Sequence, residues 1–427
     1  MSNKIKKNNL RDFYILWISQ SLSQLGSAIT AFALTLWLYE KTGSALSTAT
    51  LSICSYAPYV LMSIFAGAIS DKFDKKKTML ICDTFAALTT IIVFALYKSD
   101  MLCIWHLYLI NAISGLMNTV QQPASEVAYT MIIPKEHYQK TGGLQSLSRS
   151  LVSIGNPVIA AALYSLAGLD VVIMVDLTTF AIAFLALALF ISIPKVTDDS
   201  ENEGNVLRLA KEGLVYLKQN PMILYVILFM SGVNLIASAF NAVLPALIIP
   251  VPQGGNSIYG IVTSFAGVAM VIGSILATIM PKPKDRVRVI YLTMLFSLGT
   301  ENFIMAFSRN PVLWCIGQII GWIVVPIMST NQNVIMRNSI PAKLQGRVYA
   351  CRNTLQFFTI PIGLLIGGFM VDEMCEPFMA DKSGIWNMLF GSGKGSGAAL
   401  AMFILAVAGT VICLTFGNKL KKYHYSE

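Results

Sequence analysis

Gly67-Ala-Ile-Ser-Asp71-Lys72-Phe-Asp74-Lys75-Lys76-Lys77 is a charged turn set between two apolar runs. About twenty mostly apolar residues precede it and a similar number follow, the length a helix needs to cross the hydrocarbon of a bilayer. The turn therefore joins two membrane-spanning helices. Its lysines place it on the cytoplasmic side, because the Lys/Arg bias of short loops sets topology. The orientation of every other span then follows by counting.

Composition agrees with that reading. The 427 residues are 55% hydrophobic and 12% charged, with mean hydropathy +0.64, whereas soluble domains carry about 25% charged residues. The net charge of +9 does not point to nucleic acid, since the basic residues sit in short loops between apolar segments rather than on one folded face. The seven cysteines show no Cys-x-x-Cys spacing and mostly fall within or beside apolar runs, which argues against a zinc site or a disulfide framework. His106, His137 and His424 form no cluster of metal ligands. No cofactor is expected, and no nucleophile and base stand at a spacing an enzyme would use. The basic start, Met1 to Leu10, followed by Ala31-Phe32-Ala33, has the look of a signal peptide. The apolar run continues to Leu38, however, well past the roughly 7 to 15 residues of a cleavable h-region.

Apolar runs of spanning length lie near 13–38, 46–69, 78–97, 101–122, 143–166, 170–193, 222–247, 257–280, 289–307, 312–332, 347–370 and 397–416. The predicted fold is an all-α membrane protein of twelve transmembrane helices in two pseudo-symmetric six-helix bundles. Most of the 31 lysines and arginines fall in alternate segments, beginning with the amino terminus. Both termini are therefore expected in the cytoplasm, and the protein is expected to be multi-pass in the plasma membrane and to act as a monomer. The inner segment from Lys195 to Pro221 divides the chain into a first bundle (1–194), a linker (195–221) and a second bundle (222–427). Thr197 to Gly204 is acidic and expected to be mobile. Val206, Leu209, Gly213, Leu214 and Leu217 then recur at helical spacing beside Arg208, Lys211 and Lys218. That pattern fits an amphipathic helix on the inner membrane surface and fits a packed linker helix without membrane contact equally well.

The halves resemble distant copies. Ile133-Pro134 leads into the fifth span and Ile340-Pro341 into the eleventh, and Pro157 and Pro361 fall near the middle of those spans. Such symmetry is typical of transporters whose site lies at the midplane. The outer segment 371–397 ends Gly391-Ser-Gly-Lys394-Gly-Ser-Gly. It lacks the glycine and hydroxyl that a phosphate-binding loop requires at Met388 and Gly395, and it reads as a flexible linker.

The first, fourth, seventh and tenth spans each carry a polar stripe at helical spacing, costly on a lipid-facing surface. Gln20, Ser23, Ser27 and Thr30 mark the first, and Asn111, Ser114, Asn118 and Gln121 or Gln122 the fourth. Ser231, Asn234, Ser238 and Asn241 mark the seventh, and Gln318, Trp322, Ser329 and Gln332 the tenth. The stripes are expected to line one cavity for a small-molecule substrate, with bonding to neighbouring helices as the alternative for any single residue. Charges inside spans are candidates by default; here they are Asp83, Arg149, Asp176, Glu301 and Arg352. Arg149 is placed either to meet an anionic group or to pair with Glu126. Asp176 and Glu301 are the candidates for carrying a proton, although their spans lack polar stripes, which favours a structural role for each.

Twelve spans in two sixes, with the turn between the second and third, resemble the major facilitator superfamily. Gly67, Asp71, Lys72, Lys75 and Lys76 match its signature turn, while Asp74 stands where the family has glycine. Trp17-x-x-Gln20 with Gly26-Ser27, Glu40-Lys-Thr-Gly-Ser-Ala45, Asp71-Lys-x-Asp-Lys-Lys76, Pro123-Ala124, Pro134-Lys-Glu136, Asp176 and Gly346-Arg347-Val348 are similar to the macrolide-efflux branch, the third drug/proton antiporter group. That resemblance implies export of hydrophobic or amphiphilic compounds in exchange for protons. The antiporter pattern is reduced in the fifth span to Gly155-Asn-Pro157-Val-Ile-Ala-Ala161 but fuller in the eleventh, Pro361-Ile-Gly363-Leu-Leu-Ile-Gly367-Gly368. The resemblance also implies that Asp71 faces the start of the eleventh span, where a carboxylate favours the positive helix end. The turn would then act as a latch in one state of the cycle. An importer or a lipid or siderophore carrier of the same fold, and a non-transporting sensor or scaffold, are the alternative readings.

Overall fold

The computed structural model describes residues 10–72, 74–133, 138–193 and 206–423; within these, the side chains at 63–72, 123, 126, 130, 138–140, 142, 143, 146, 206–210, 342, 343, 345, 346 and 350 are outside the description. The described residues are helical apart from short connections. The first half comprises α1 (Leu10–Thr42), α2 (Ala45–Lys72), α3 (Lys75–Lys98), α4 (Ile104–Ile132) and α5 (Tyr138–Leu185). The chain breaks inside α5 at Gly168, whose φ is +76°, so this stretch supplies the fifth and sixth spans. A π-helical turn, Ala186–Phe190, ends the sixth. After the linker helix α6 (Val206–Gln219) come α7 (Pro221–Ile248), α8 (Asn256–Ile279) and α9 (Arg286–Phe307). The tenth span is α10 (Pro311–Ile323) with α11 (Val325–Ser339); the eleventh is α12 (Ala342–Phe357) with α13 (Thr359–Phe369) and a π-helical turn, Met370–Cys375. Short helices α14 (Glu376–Ala380) and α15 (Ile385–Phe390) precede the twelfth span, α16 (Ser396–Leu420). Ten stretches among the described residues are long and apolar enough to cross a membrane, with 147–190 taken as one. Its break at Gly168 and the more polar α4 bring the number to twelve.

The chain forms two compact units, Met1–Leu34 with Ala57–Glu203, and Thr35–Tyr56 with Gly204–Glu427. In the first, Phe13 and Leu16 of α1, Met79 of α3, Ala124 and Ala128 of α4 and Leu187 pack as one buried cluster. Asp74, the residue that departs from the family turn, is the N-cap of α3, its carboxylate accepting the Lys77 backbone N–H at 3.0 Å. Aspartate suits that position because it satisfies an amide left over at the helix start. The same device recurs in the second unit, where Asp285 caps α9 by accepting from the Val287 and Arg288 amides at 3.0 and 3.2 Å. The first residue of each helix, Lys75 and Arg286, is buried.

Lys76 extends its ammonium to the carbonyls of Ala188 and Ile191, at 3.0 and 2.6 Å, where the sixth span ends. It thereby holds carbonyls that the end of a helix leaves without intrahelical partners. Lys76→Met is expected to cost about 1 to 3 kcal/mol of stability, the range for hydrogen bonds from a charged donor. The melting temperature of the purified protein checks this, with exposed Lys77→Met leaving it unchanged. Gly67, Asp71 and Lys72 are in the turn's helical arm, and their side chains, with the expected Asp71 contact, lie outside the described residues.

Helix α6 packs against the second bundle, in keeping with the packed-linker alternative. Leu217 is buried with Ile223, Ile227, Met336, Ile340, Val348 and Cys351. Glu212 pairs with Arg347, and the Tyr216 hydroxyl donates to the Ser339 carbonyl at 2.6 Å. The acidic stretch 197–204 lies outside the described residues.

The segment 371–397 corrects the flexible-linker expectation. Glu376 accepts the Gly395 and Ala398 amides at 2.9 and 3.3 Å. Arg309 donates to the carbonyls of Phe390 and Gly395. Burial pulls the Arg309 guanidinium below its ordinary pKa, and the Glu376 carboxylate opposes that shift. Gly391, Gly393 and Gly395 take φ of +76°, +73° and +86°, so the glycine repeat shapes a tight turn into α16 that other residues would strain to follow. Beneath it Phe307, Phe390 and Phe403 form a mutual aromatic cluster with centroids 5.6 to 5.8 Å apart.

Candidate functional site

Within the first unit the polar residues of α1 face buried carboxylates. The Ser27 hydroxyl donates to Asp176 Oδ1 at 3.0 Å, and Thr90 of α3 approaches Oδ2 at 3.5 Å. Asp176 is buried, whereas Ser27 is exposed on its other side. The sixth span thus joins the stripe of the first, a link invisible to a search for polar spacing within one helix. Gln20 is buried beside Asp83 of α3, and Gln121 of α4 donates to Asp83 Oδ1. Asp83 had signalled itself only as an in-span charge; its two glutamine neighbours come from stripes on α1 and α4.

The other first-unit candidates divide by environment. Asn111 donates into its own helix, to the Leu107 carbonyl at 2.9 Å. Asn118 and Arg149 are exposed, and the Arg149 charge lies near Tyr129. The alternative partner of Arg149, Glu126, has a side chain outside the described residues.

In the second unit the seventh span meets the eleventh through the Asn234 side chain and the Ser231 backbone, while Ser238 donates into its own helix, to the Asn234 carbonyl at 2.6 Å. Asn234 donates to the Gln356 carbonyl at 2.9 Å, Thr359 donates to the Ser231 carbonyl at 2.8 Å, and Gln332 donates to Gln356 Oε1 at 3.0 Å. Asn241, farther along α7, is exposed. Glu301 of α9 lies flat against Gly321 of α10, where an added Cβ would sit 1.8 Å from its Oε2. Only glycine leaves room for the carboxylate there. Trp322 lies beside Glu301, so this acid too meets a stripe residue despite its own span's lack of one. Glu301 Oε1, Trp322 Nε1, Gln318 Nε2 and Asn302 Nδ2 are buried without hydrogen-bond partners among the described residues.

A second feature of this unit carries no local sequence signal. Asp372, in the π-helical turn after α13, accepts three hydrogen bonds at the start of α2: from the Ser44 hydroxyl at 2.6 Å, the Ala45 amide at 3.1 Å and the Leu46 amide at 2.8 Å. Gly368 permits this approach, since a Cβ there would lie 2.6 Å from the Leu46 Cα. Asn256 at the head of α8 donates to Glu40 near the end of α1. Ala49, Ala242 and Leu364 form the apolar cluster of this junction.

Ten described stretches of membrane-spanning length, with polar and acidic side chains buried among them, define a multi-pass membrane protein. The sequence profile of the Major Facilitator Superfamily matches residues 16–364, and the chain belongs to that family. Macrolide efflux protein A of Streptococcus pyogenes is 26% identical over 377 residues, covering 86% of this chain and 92% of that protein. Macrolide efflux protein A of Enterococcus faecalis is 25% identical over 329 residues, covering 75% of this chain and all of that one. Among solved structures, the nucleoside transporter NupG superposes with a TM-score of 0.73 at 13% identity, covering 96% of this chain and 99% of the other; this likeness concerns fold alone.

Proposed function

We propose that the protein exports amphiphilic small molecules of the macrolide type in exchange for protons, by alternating access across the plasma membrane, as a monomer with both termini in the cytoplasm. The similarity to macrolide efflux proteins along most of the chain carries this reading. The contact of Ser27 with Asp176 supports the proton part, because it puts a buried carboxylate against a stripe that would meet substrate. In this proposal Gln20, Ser27, Asn111, Asn118, Asn234, Asn241 and Gln318 supply hydrogen bonds in the cavity and Trp322 an aromatic face. Arg149 meets an anionic or polar group of the substrate. Asp176 and Glu301 are the candidate proton carriers, and Gly67, Asp71, Lys72, Lys75 and Lys76 form a state-dependent latch.

Accumulation of erythromycin and of a panel of cationic dyes in cells expressing the protein tests the proposal. Expressing cells are expected to hold less of at least one compound than empty cells. A protonophore is expected to abolish the difference, and so is the double variant Asn118→Ala with Arg149→Ala. Equal accumulation with the parent protein and the double variant under every condition would remove the export reading.

A further inference from the structure

We propose that Asp83 is a proton-binding site whose state is passed to the cavity through Gln20 and Gln121, an assignment that rests on the export reading for its coupling role but not for its proton. Asp83 is 7% exposed and Gln20 is 5% exposed. Oδ1 of the carboxyl accepts from Gln121, whereas among the described residues Oδ2 and the Gln20 Nε2 are both buried without a bond of ordinary geometry. Among the described residues, the groups facing Asp83 are the amides of Gln121 and Gln20, with the Cys82 thiol beside it on α3. No cationic side chain pairs with it among the described residues. Asp176, by contrast, has a hydroxyl near each oxygen, Ser27 at 3.0 Å and Thr90 at 3.5 Å.

A buried carboxyl with one oxygen served and one bare has a definite place for a proton, on Oδ2. Ionised, Asp83 accepts at both oxygens and needs the Gln20 N–H turned toward it. Protonated, its Oδ2–H becomes a donor and needs the Gln20 carbonyl oxygen instead. A glutamine amide meets both demands by a half-turn, since it offers a donor on one side and an acceptor on the other. The step is proton addition to a carboxylate and its reversal, with no other bond made or broken. Gln20 belongs to the stripe of α1 and Gln121 to that of α4, so the half-turn changes which hydrogen-bonding groups those two helices can offer elsewhere.

Two measurements on the purified full-length protein test this. The pH-difference infrared spectrum of the protein in lipid nanodiscs is expected to show the carbonyl stretch of a protonated carboxyl on acidification. One component of that band should vanish in Asp83→Asn and move in frequency or midpoint in Gln20→Leu, which keeps the carboxyl, separately from any component that Asp176→Asn or Glu301→Gln removes. In proteoliposomes loaded with Hoechst 33342, Asp83→Asn is expected to lower pH-gradient-driven movement of the dye at least about tenfold, while dye counterflow without a gradient stays within about twofold. Asp83→Glu should restore part of the gradient-driven rate. A carboxyl band unchanged in Asp83→Asn overturns the proposal, as does a parallel loss of both transport activities with no difference in the infrared spectrum. A parent protein that shows the Asp83 band but moves neither this dye nor any compound of the accumulation panel removes the export reading and leaves the proton site standing.

Discussion

Asp372→Ala is expected to open the junction between the start of α2 and the end of the eleventh span by at least about tenfold. The carboxylate accepts three hydrogen bonds there, two of them from backbone amides at the α2 amino terminus. A negative charge at that position also complements the positive end of the helix. A hydrogen bond to a charged acceptor contributes about 1.5 to 3 kcal/mol net, and about 1.4 kcal/mol is a tenfold change in population. Gly368→Leu attacks the same junction by a different route, through the 2.6 Å approach of its would-be Cβ to Leu46. The check is labelling of a single cysteine at Ser47, in a cysteine-free background, by a membrane-impermeant thiol reagent added outside intact cells. Both variants should label faster than the parent. Equal rates in all three would show that the junction does not control access from that side.

Glu376→Ala is expected to release the segment 371–397. Glu376 holds the first amides of α16, and its charge stands beside Arg309, whose guanidinium in turn fixes the Phe390 and Gly395 carbonyls. Removing the acid leaves a partly buried cation without its counter-charge, at a cost of about 2 kcal/mol. Local opening should rise about thirtyfold, and cleavage by added trypsin at Lys382 and Lys394 should rise with it while opening is fast relative to cutting. Arg309→Met in the same chain removes the uncompensated charge and should recover part of the protection. A cleavage rate unmoved by Glu376→Ala would mean that the aromatic cluster of Phe307, Phe390 and Phe403 holds the segment unaided.

The sequence patterns and the structure agree where the signal is local and diverge where it is not. Most of the spans were legible because they are long apolar runs, and α6 was legible because its apolar residues recur at helical spacing. The stripes were legible as stripes, but their partners were not. Asp176 lies about 150 residues from Ser27 in sequence, and no spacing rule connects them. Asp83, between apolar residues on α3, looked like an isolated charge until Gln20 and Gln121 came to it from two other helices. Asn234 and Gln332 satisfied the plainer reading, bonding to the Gln356 region rather than standing open. The glycine-rich turn at 391–397 misled because glycine serves flexible linkers and fixed positive-φ turns alike, and only Glu376 and Arg309 distinguish the two.

The aspartate caps of α3 and α9 give the molecule an internal ruler. Each half starts its third helix in the same way, with Asp74 or Asp285 on the backbone amides and a buried cation directly after. Beyond that point they differ: the first half sends Lys76 to the carbonyls that end the sixth span, and the second sends Arg286 to Asn331 at 2.9 Å. Duplicate grammar with divergent vocabulary means that an effect measured at one cap has a matched reference at the other, in the same chain and the same membrane. What the two caps share is the cost of starting a helix at a turn, and what separates them is the work peculiar to each half.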